Sequence, residues 1–308
     1  MRFDAIVAGG GFAGLAAAMQ LARARRQVVV VDAGQPRNRF SAALHGMPGQ
    51  DGRTPAAILG EARAQLAAYP AATLIGGQVA TAAATGDGFL VQLADGREMT
   101  AARLILAHGL TDRMPGAEAG RPLAAALAER WGHGVLHCPY CHGYETAGGP
   151  IGVLATRPDM VAHALLFTDW GPTTLLLDGI PAPDAETVAR LAAAGITIET
   201  VPVVELLGPA PGLAGLRLAD GRTLPMTGLF VAPEPRFTTP LPGMLGCRTE
   251  TGPTGPWIVT DDWGLTSVPG VYAAGDIAFP MHNASLALAS GVRAGVGAHR
   301  SLVFGGGG

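Results

Sequence analysis

Asp4-Ala5-Ile6-Val7-Ala8-Gly9-Gly10-Gly11-Phe12-Ala13-Gly14 opens the chain, and Gln27-Val28-Val29-Val30-Val31-Asp32 follows it closely. Residues 4–8, apolar after Asp4, read as a buried strand. Phe12 to Arg25 reads as a helix, and Gln27 to Val31 as a second strand. The glycines of this GxGxxG have separate tasks. Gly9 permits the tight turn, Gly11 lets a pyrophosphate approach the backbone, and Gly14 lets helix and strand pack closely. The helix N-terminus then turns free N–H groups toward the phosphates. Asp32 ends the second strand, where a carboxylate can bind the hydroxyls of an adenosine ribose. Glycine-rich strings are common in a chain with 45 glycines. Here the flanking strands, the helix and the acid make the motif specific.

The chain around this motif has 308 residues, room for two domains, and 48% of them are hydrophobic against 15% charged. Disorder is excluded by that balance. A net charge of −3 provides no basic field for nucleic acid or anionic lipid. The sequence has no lysine, which excludes Schiff-base chemistry. The stretch from Ala5 to Ala22 is too poor in large apolar residues, and too rich in glycine, to read as a signal segment or membrane span. A soluble, cytoplasmic protein is expected.

Further along, residues 55–69 are expected to be helical and 73–106 to be rich in strands, with a turn near Asp95. A Gly/Pro-rich crossover at 109–122 leads into a middle domain over 114–247. That domain repeats the logic of the first: strands at Ile151–Leu154 and Thr173–Leu177, helices at 159–169 and 184–194, and a turn at 220–222. The final third, 248–308, has a strand at Val271–Ala273 and a helix from Asn283 to Leu302, and Gly305–Gly308 are expected to fray. Thr266-Ser267-Val268-Pro269-Gly270-Val271-Tyr272-Ala273-Ala274-Gly275-Asp276 is a strand delivering a Gly-Asp pair at its C-terminal end. Asp276 there can bind ribitol hydroxyls while Gly275 clears room.

The most chemically informative segment is Cys138-Pro139-Tyr140-Cys141-His142-Gly143-Tyr144-Glu145. A CxxC closes and reopens a small disulfide ring with little movement, and its reactive form is the thiolate. His137 and His142 flank the pair and could supply a proton acceptor or a nearby positive charge. The CxxCH string also satisfies the haem-attachment pattern, but that requires export. A structural zinc site draws on two separated ligand pairs, and the third cysteine, Cys247, stands alone. No metal is therefore expected, and Cys247 is expected to be a buried, inert thiol.

GGGFAG, a central CxxC and TxxPGVYAAGD, in this order, resemble the low-molecular-weight thioredoxin-reductase family over nearly the whole chain. The resemblance implies an α/β fold of two Rossmann-like, three-layer nucleotide-binding domains. The second (114–247) is inserted in a discontinuous FAD domain (1–113 and 248–308). It implies a homodimer, and FAD contacts from Gly9, Gly11, Gly14, Asp32, Gly275 and Asp276. Pro36, Arg37 and Asn38 would shape the loop near the adenine or ribitol. Cys141 would face the flavin and Cys138 would exchange with substrate. His142 stands where the family carries an acidic proton donor, which assigns it as acid/base. His282 is a second candidate proton acceptor or a capping or packing residue, and Asn283 could cap the last helix or approach the flavin. His45 and His108 are read as structural.

One expected part is missing. After Ile151-Gly152-Val153-Leu154 come Ala155-Thr156-Arg157-Pro158-Asp159-Met160, with no glycines to admit the pyrophosphate of NADPH. Leu177-Asp178-Gly179 follows the next strand, with no arginine cluster for a 2′-phosphate. The subset most resembled is therefore the thioredoxin-reductase-like dithiol oxidases of gliotoxin-, holomycin- and romidepsin-type pathways, whose CxxCHG motif CPYCHGYE approaches. That subset implies a small-molecule dithiol as substrate, oxygen as acceptor and hydrogen peroxide as by-product. A disulfide reductase fed by ferredoxin or a second flavin is the alternative.

Overall fold

In the computed structural model, which describes residues 2–305, the opening motif forms a parallel βαβ unit. The last three of the glycines expected to fray, 306–308, lie outside the described residues. Strand β1 (Arg2–Ala8) turns through the glycines into α1 (Phe12–Arg23), which returns to β2 (Val28–Asp32). β2 lies parallel to β1, with Ala5 opposite Val28 and Ala8 opposite Val31. Then come α2 (Pro55–Ala67), β3 (Ala72–Gly76), β4 (Val79–Thr85), β5 (Gly88–Leu93) and β6 (Glu98–Leu106). The sheet order is β3-β2-β1-β6-β5-β4, with the distant strand Val271–Ala273 parallel beside β6.

Alternation along the strands sends side chains to both faces, and both are covered. Ile6, Val29, Val31, Leu104 and Leu106 pack with Leu241, Cys247 and Ile258. Ala5, Val7, Val28 and Val30 pack with Leu15 and Leu21 of α1 and with Ala294 and Ala298 of the closing helix, Ala284–Phe304. The small residues let the two helices approach closely. Added side-chain carbons at Gly291 and Gly295 would run into the backbone of Ala13 and Ala17.

The chain divides into two compact units. The first comprises the residues up to Arg39, Pro55–Asp112 and those from Pro235 onward. The second comprises Phe40–Thr54 and Arg113–Glu234. Two boundaries differ from those expected. The return crossing falls at Glu234/Pro235 instead of 247/248, because Leu241 and Cys247 belong to the core of the first unit. Residues 40–54, expected in the first domain, belong to the second. The crossover expected at 109–122 contains a strand, Leu110–Arg113, which pairs with Glu234–Phe237.

The second unit carries a five-stranded parallel sheet. Its order is Thr197–Glu199, Thr173–Leu177, Ile151–Ala155, Gly228–Val231, Val135–Leu136. A three-stranded antiparallel sheet, Val203–Leu207, Gly215–Leu218 and Thr223–Pro225, accompanies it. The helix expected over 159–169 is instead a single α-turn, Asp159–His163, running into a 3-10 segment, Ala164–Asp169. Parallel sheets in both units give the α/β, Rossmann-like class. Among the described residues no helix is long and apolar enough to cross a membrane.

Candidate active site: a nucleotide loop and a redox disulfide

The glycine loop of the first unit has the stereochemistry its spacing implies. Gly9 sits at φ +111°, where a side chain would be strained and would overlap the Ala107 carbonyl. At Gly14 a side-chain carbon would run into the carbonyl oxygen of Gly9. Gly11 differs from both, since nothing lies within 4 Å of the position its Cβ would take. It is also the N-cap of α1, with no side chain capping the helix. Backbone donors at the start of a helix, bordered by open space, form a cradle for an anionic group.

Two carboxylates follow the strands, Asp32 at the last residue of β2 and Asp276 in a 3-10 turn, Gly275–Ile277, after Val271–Ala273. Asp32 accepts a hydrogen bond from the Gly34 N–H at 3.2 Å and one from Arg63 at 2.8 Å. Arg63 also donates to the Gly10 carbonyl at 3.2 Å. Arg63 lies on α2 in no recognisable motif, and sequence reading missed it. Asp276 follows Gly275, whose φ of +81° needs glycine. It accepts from Arg37 through Oδ2 at 2.9 Å and leaves Oδ1 without a hydrogen bond among the described residues.

Arg37 is the centre of a polar cluster. It donates two parallel bonds to Asp112, at 2.8 and 2.6 Å, and places its remaining terminal nitrogen against Asp276 and, at 2.7 Å, His282 Nδ1. Burial opposes its charge, but Asp112 and Asp276 outweigh that and raise its pKa. A guanidinium only donates, so His282 Nδ1 is an acceptor and its neutral ring carries the proton on Nε2. The nitrogen that could have taken a proton is thus engaged by Arg37. Burial also pushes the His282 pKa down. Asn283 caps the closing helix, accepting from the N–H groups of Ser285 and Leu286 at 2.8 and 3.4 Å. Asn38 lies in a 3-10 turn, Arg37–Phe40, and its side chain makes no hydrogen bond among the described residues.

His108 follows β6. Its Nδ1 lies 3.1 Å from the Gly109 carbonyl and 2.9 Å from Thr238 Oγ1. A carbonyl accepts only, so Nδ1 carries the proton and Nε2 is a bare acceptor, buried with no partner among the described residues. Burial drops its pKa to about 4.

In the second unit Cys138 and Cys141 form a disulfide, with Cα atoms 5.3 Å apart. A one-turn helix, Pro139–His142, carries the second cysteine and His142. Tyr140 stacks edge-on against Trp170 at 5.4 Å, and Trp170 leaves no room for a side chain at Gly143. The segment from 40 to 54 adds what the motif lacked. Ser41 Oγ lies 2.9 Å from His142 Nε2, and His45 Nε2 lies 3.4 Å from Glu145. Burial lowers the His142 pKa. Glu145 opposes the shift, and His45 and His133 add to it. His137 stacks on Trp131. Cys247 is buried against Thr266, and burial raises its thiol pKa. Among the described residues no group of three or more His, Cys, Asp or Glu is arranged to hold a metal ion.

Where the middle domain's nucleotide loop would lie, Arg157 pairs with Asp159 and Arg121 pairs with Asp178. Each arginine beside those strand ends therefore already faces a carboxylate.

Comparison with known proteins identifies the family. A family model described as pyridine nucleotide-disulphide oxidoreductase matches residues 3–154. Thioredoxin reductase tcpT of Claviceps purpurea is 32% identical over 314 residues, covering 97% of this chain and 94% of its own. The chain belongs to the thioredoxin-reductase family. A second member, thioredoxin reductase sirT of Leptosphaeria maculans, is 30% identical over 96% of this chain and 93% of its own. The crystal structure of an oxidoreductase from Agrobacterium tumefaciens superposes with a TM-score of 0.92. It is 46% identical and covers 99% of this chain and 100% of its own. That of HlmI gives 0.85 at 37% identity, covering 98% and 93%. The protein is accordingly a flavin-dependent oxidoreductase, and FAD is the family's cofactor. The residues of the first unit fit FAD. They offer the open cradle at Gly11, carboxylates at Asp32 and Asp276, and an Asp276 oxygen and a buried His108 nitrogen that have no hydrogen-bond partner among the described residues.

Proposed function

We propose that this thioredoxin-reductase relative is a dithiol oxidase: R(SH)2 + O2 gives the cyclic disulfide RS2 + H2O2. The observation that carries the reading is the loop after Ile151–Ala155. It offers no glycine, begins its helix behind Pro158, and has its arginines matched by Asp159 and Asp178. A 2′-phosphate there would compete with carboxylates for each guanidinium. Electrons that do not enter as hydride from NADPH must enter otherwise, and the Cys138–Cys141 disulfide offers sulfur as the route.

His142 takes the proton from a substrate thiol. The thiolate attacks Cys138 Sγ, forming a mixed disulfide and breaking the Cys138–Cys141 bond, whose electron pair leaves on Cys141. The substrate's second thiol, once deprotonated, attacks the mixed disulfide at the substrate sulfur. The product ring closes and Cys138 is released as a thiolate. The pair now holds two electrons and surrenders them as it recloses. FAD, which the Gly11 cradle, Asp32 and Asp276 of the first unit would hold, would supply the acceptor for that electron pair and the path from it to oxygen. The surface beside the disulfide suits an organic substrate, because Tyr140 and Tyr144 are 70% and 87% exposed. Aromatic rings left in water at a reaction centre favour a partner with apolar area of its own.

Anaerobic titration tests the reading. A small aliphatic dithiol should bleach the flavin band, NADPH should not, and air should restore it with one peroxide per dithiol consumed. Bleaching by NADPH would overturn the proposal. Bleaching only by a reduced ferredoxin or flavoprotein would make the protein a disulfide reductase fed by another donor.

A further inference from the structure

Ser41 stands about a hundred residues before the redox pair, on the segment Phe40–Thr54 that belongs to the second unit. Its hydroxyl has two neighbours, the Ala43 carbonyl oxygen at 2.5 Å and His142 Nε2 at 2.9 Å. A carbonyl oxygen has no proton to give, so the hydroxyl donates to it. A hydroxyl has one proton, so toward His142 the serine oxygen can only accept. His142 Nε2 therefore carries the ring proton, and in the neutral imidazole Nδ1 holds the bare lone pair. Among the described residues Nδ1 makes no hydrogen bond of its own.

We infer that Ser41 is a positioning residue, which fixes His142 as the Nε2–H tautomer and reserves Nδ1 as the nitrogen that receives the thiol proton. The inference rests on the reading of His142 as the base. It adds the identity of the basic atom and the residue that selects it. The Ala43 carbonyl anchors the arrangement, because a reversed tautomer would require Ser41 to turn its proton from Ala43 to the imidazole. The charged and titratable groups facing the ring are Glu145, His45 and His133. His45 in turn lies between Glu145 at 3.4 Å and Asp51 at 3.6 Å. Burial keeps the His142 ring neutral at pH 7, the state in which a tautomer is defined.

The experiment is nitrogen-15 NMR of histidine-labelled, flavin-loaded protein, with His142→Asn used to assign the signal, together with pH profiles of dithiol oxidation. In the native protein His142 should report the Nε2–H form. Ser41→Ala should give a tautomer mixture, and its kcat/KM should fall roughly tenfold, short of the ~10²–10⁴-fold expected for loss of the base itself. Its acid limb should shift, and Ser41→Thr should restore both tautomer and rate. An Nδ1–H signal in the native protein would overturn the inference, as would a Ser41→Ala protein with native tautomer and native pH profile. Full turnover by His142→Asn would instead overturn the assignment of the base. In that case the tautomer signal would still read the Ser41 contact directly.

Discussion

At the scale of single residues, His108 and His142 both hold pKa values lowered by burial, with different consequences. His108 is buried with a pKa of about 4, against about 6.5 for a free imidazole. A depressed folded-state pKa contributes stability above the unfolded value, and this is lost as pH falls toward the folded one. Between pH 6.5 and 4 that loss amounts to about 3 kcal/mol for this residue alone. Urea unfolding at pH 7 and pH 4.5 should reveal it, and His108→Asn should be less sensitive to acid over this window. An equally steep acid loss in the variant would mean that His108 titrates freely. For His142, the base of the proposed function, the lowered pKa would bear on rate. A base works when unprotonated, so the acid limb of kcat/KM should lie below the ordinary imidazole value, with activity nearly flat from there to neutrality. A limb at or above pH 7 would show that another group takes the proton. The two rings differ in partners. His108 Nε2 is buried in the first unit with no donor among the described residues, whereas His142 is held by a serine.

At the scale of elements, two helices of the first unit meet backbone to backbone. Gly291 and Gly295, one turn apart, admit the backbone of Ala13 and Ala17. Two effects of Gly291→Ala oppose each other. Alanine in a helix interior is favoured over glycine by about 1 kcal/mol. Forcing a methyl into filled space costs typically 1–3 kcal/mol, and here the obstacle is main chain, which cannot rotate aside. The clash should win. Gly291→Ala should melt several degrees below the parent and lose flavin on dilution, while Gly60→Ala, with open space at its Cβ, should match or exceed it. These elements were legible because their signals are local. The apolar run 5–8, the GxGxxG and the acid at 32 lie within one βαβ unit. The helix from Asn283 was legible because asparagine before an apolar periodic run is a capping signal. The contribution of Ser41 was not legible. Nothing in Ser41-Ala42-Ala43-Leu44-His45 marks it as chemical, and its importance arises from a contact 101 positions away. Arg63 escaped notice for the same reason, being one arginine on an ordinary helix until Asp32 lies beside it.

At the scale of the molecule, composition and motif order carried the fold class. They misplaced a boundary because Pro235 to Cys247 packs into the first unit through Leu241 and Cys247, which have no periodic pattern to announce it. The resulting division of labour is testable. The residues that fit FAD, namely Gly9, Gly11, Gly14, Asp32, His108 and Asp276, all lie in the first unit, and both redox cysteines lie in the second. Losing either half should stop turnover while leaving the other half's own property intact. At Gly11 the main chain is already in a region open to any residue, and its Cβ position is empty. Gly11→Val should therefore fold, yet fill the space a pyrophosphate needs. It should purify colourless, with a Cys138–Cys141 disulfide that a dithiol still reduces stoichiometrically. Replacing both cysteines by serine should leave a yellow protein that dithiols no longer bleach. Each protein alone should oxidise substrate at less than about a hundredth of the native rate, since neither retains a route from sulfur to flavin. A colourless double-serine protein would mean that flavin retention depends on the redox segment, and a Gly11→Val protein that keeps its flavin would remove the glycine loop from the cofactor site.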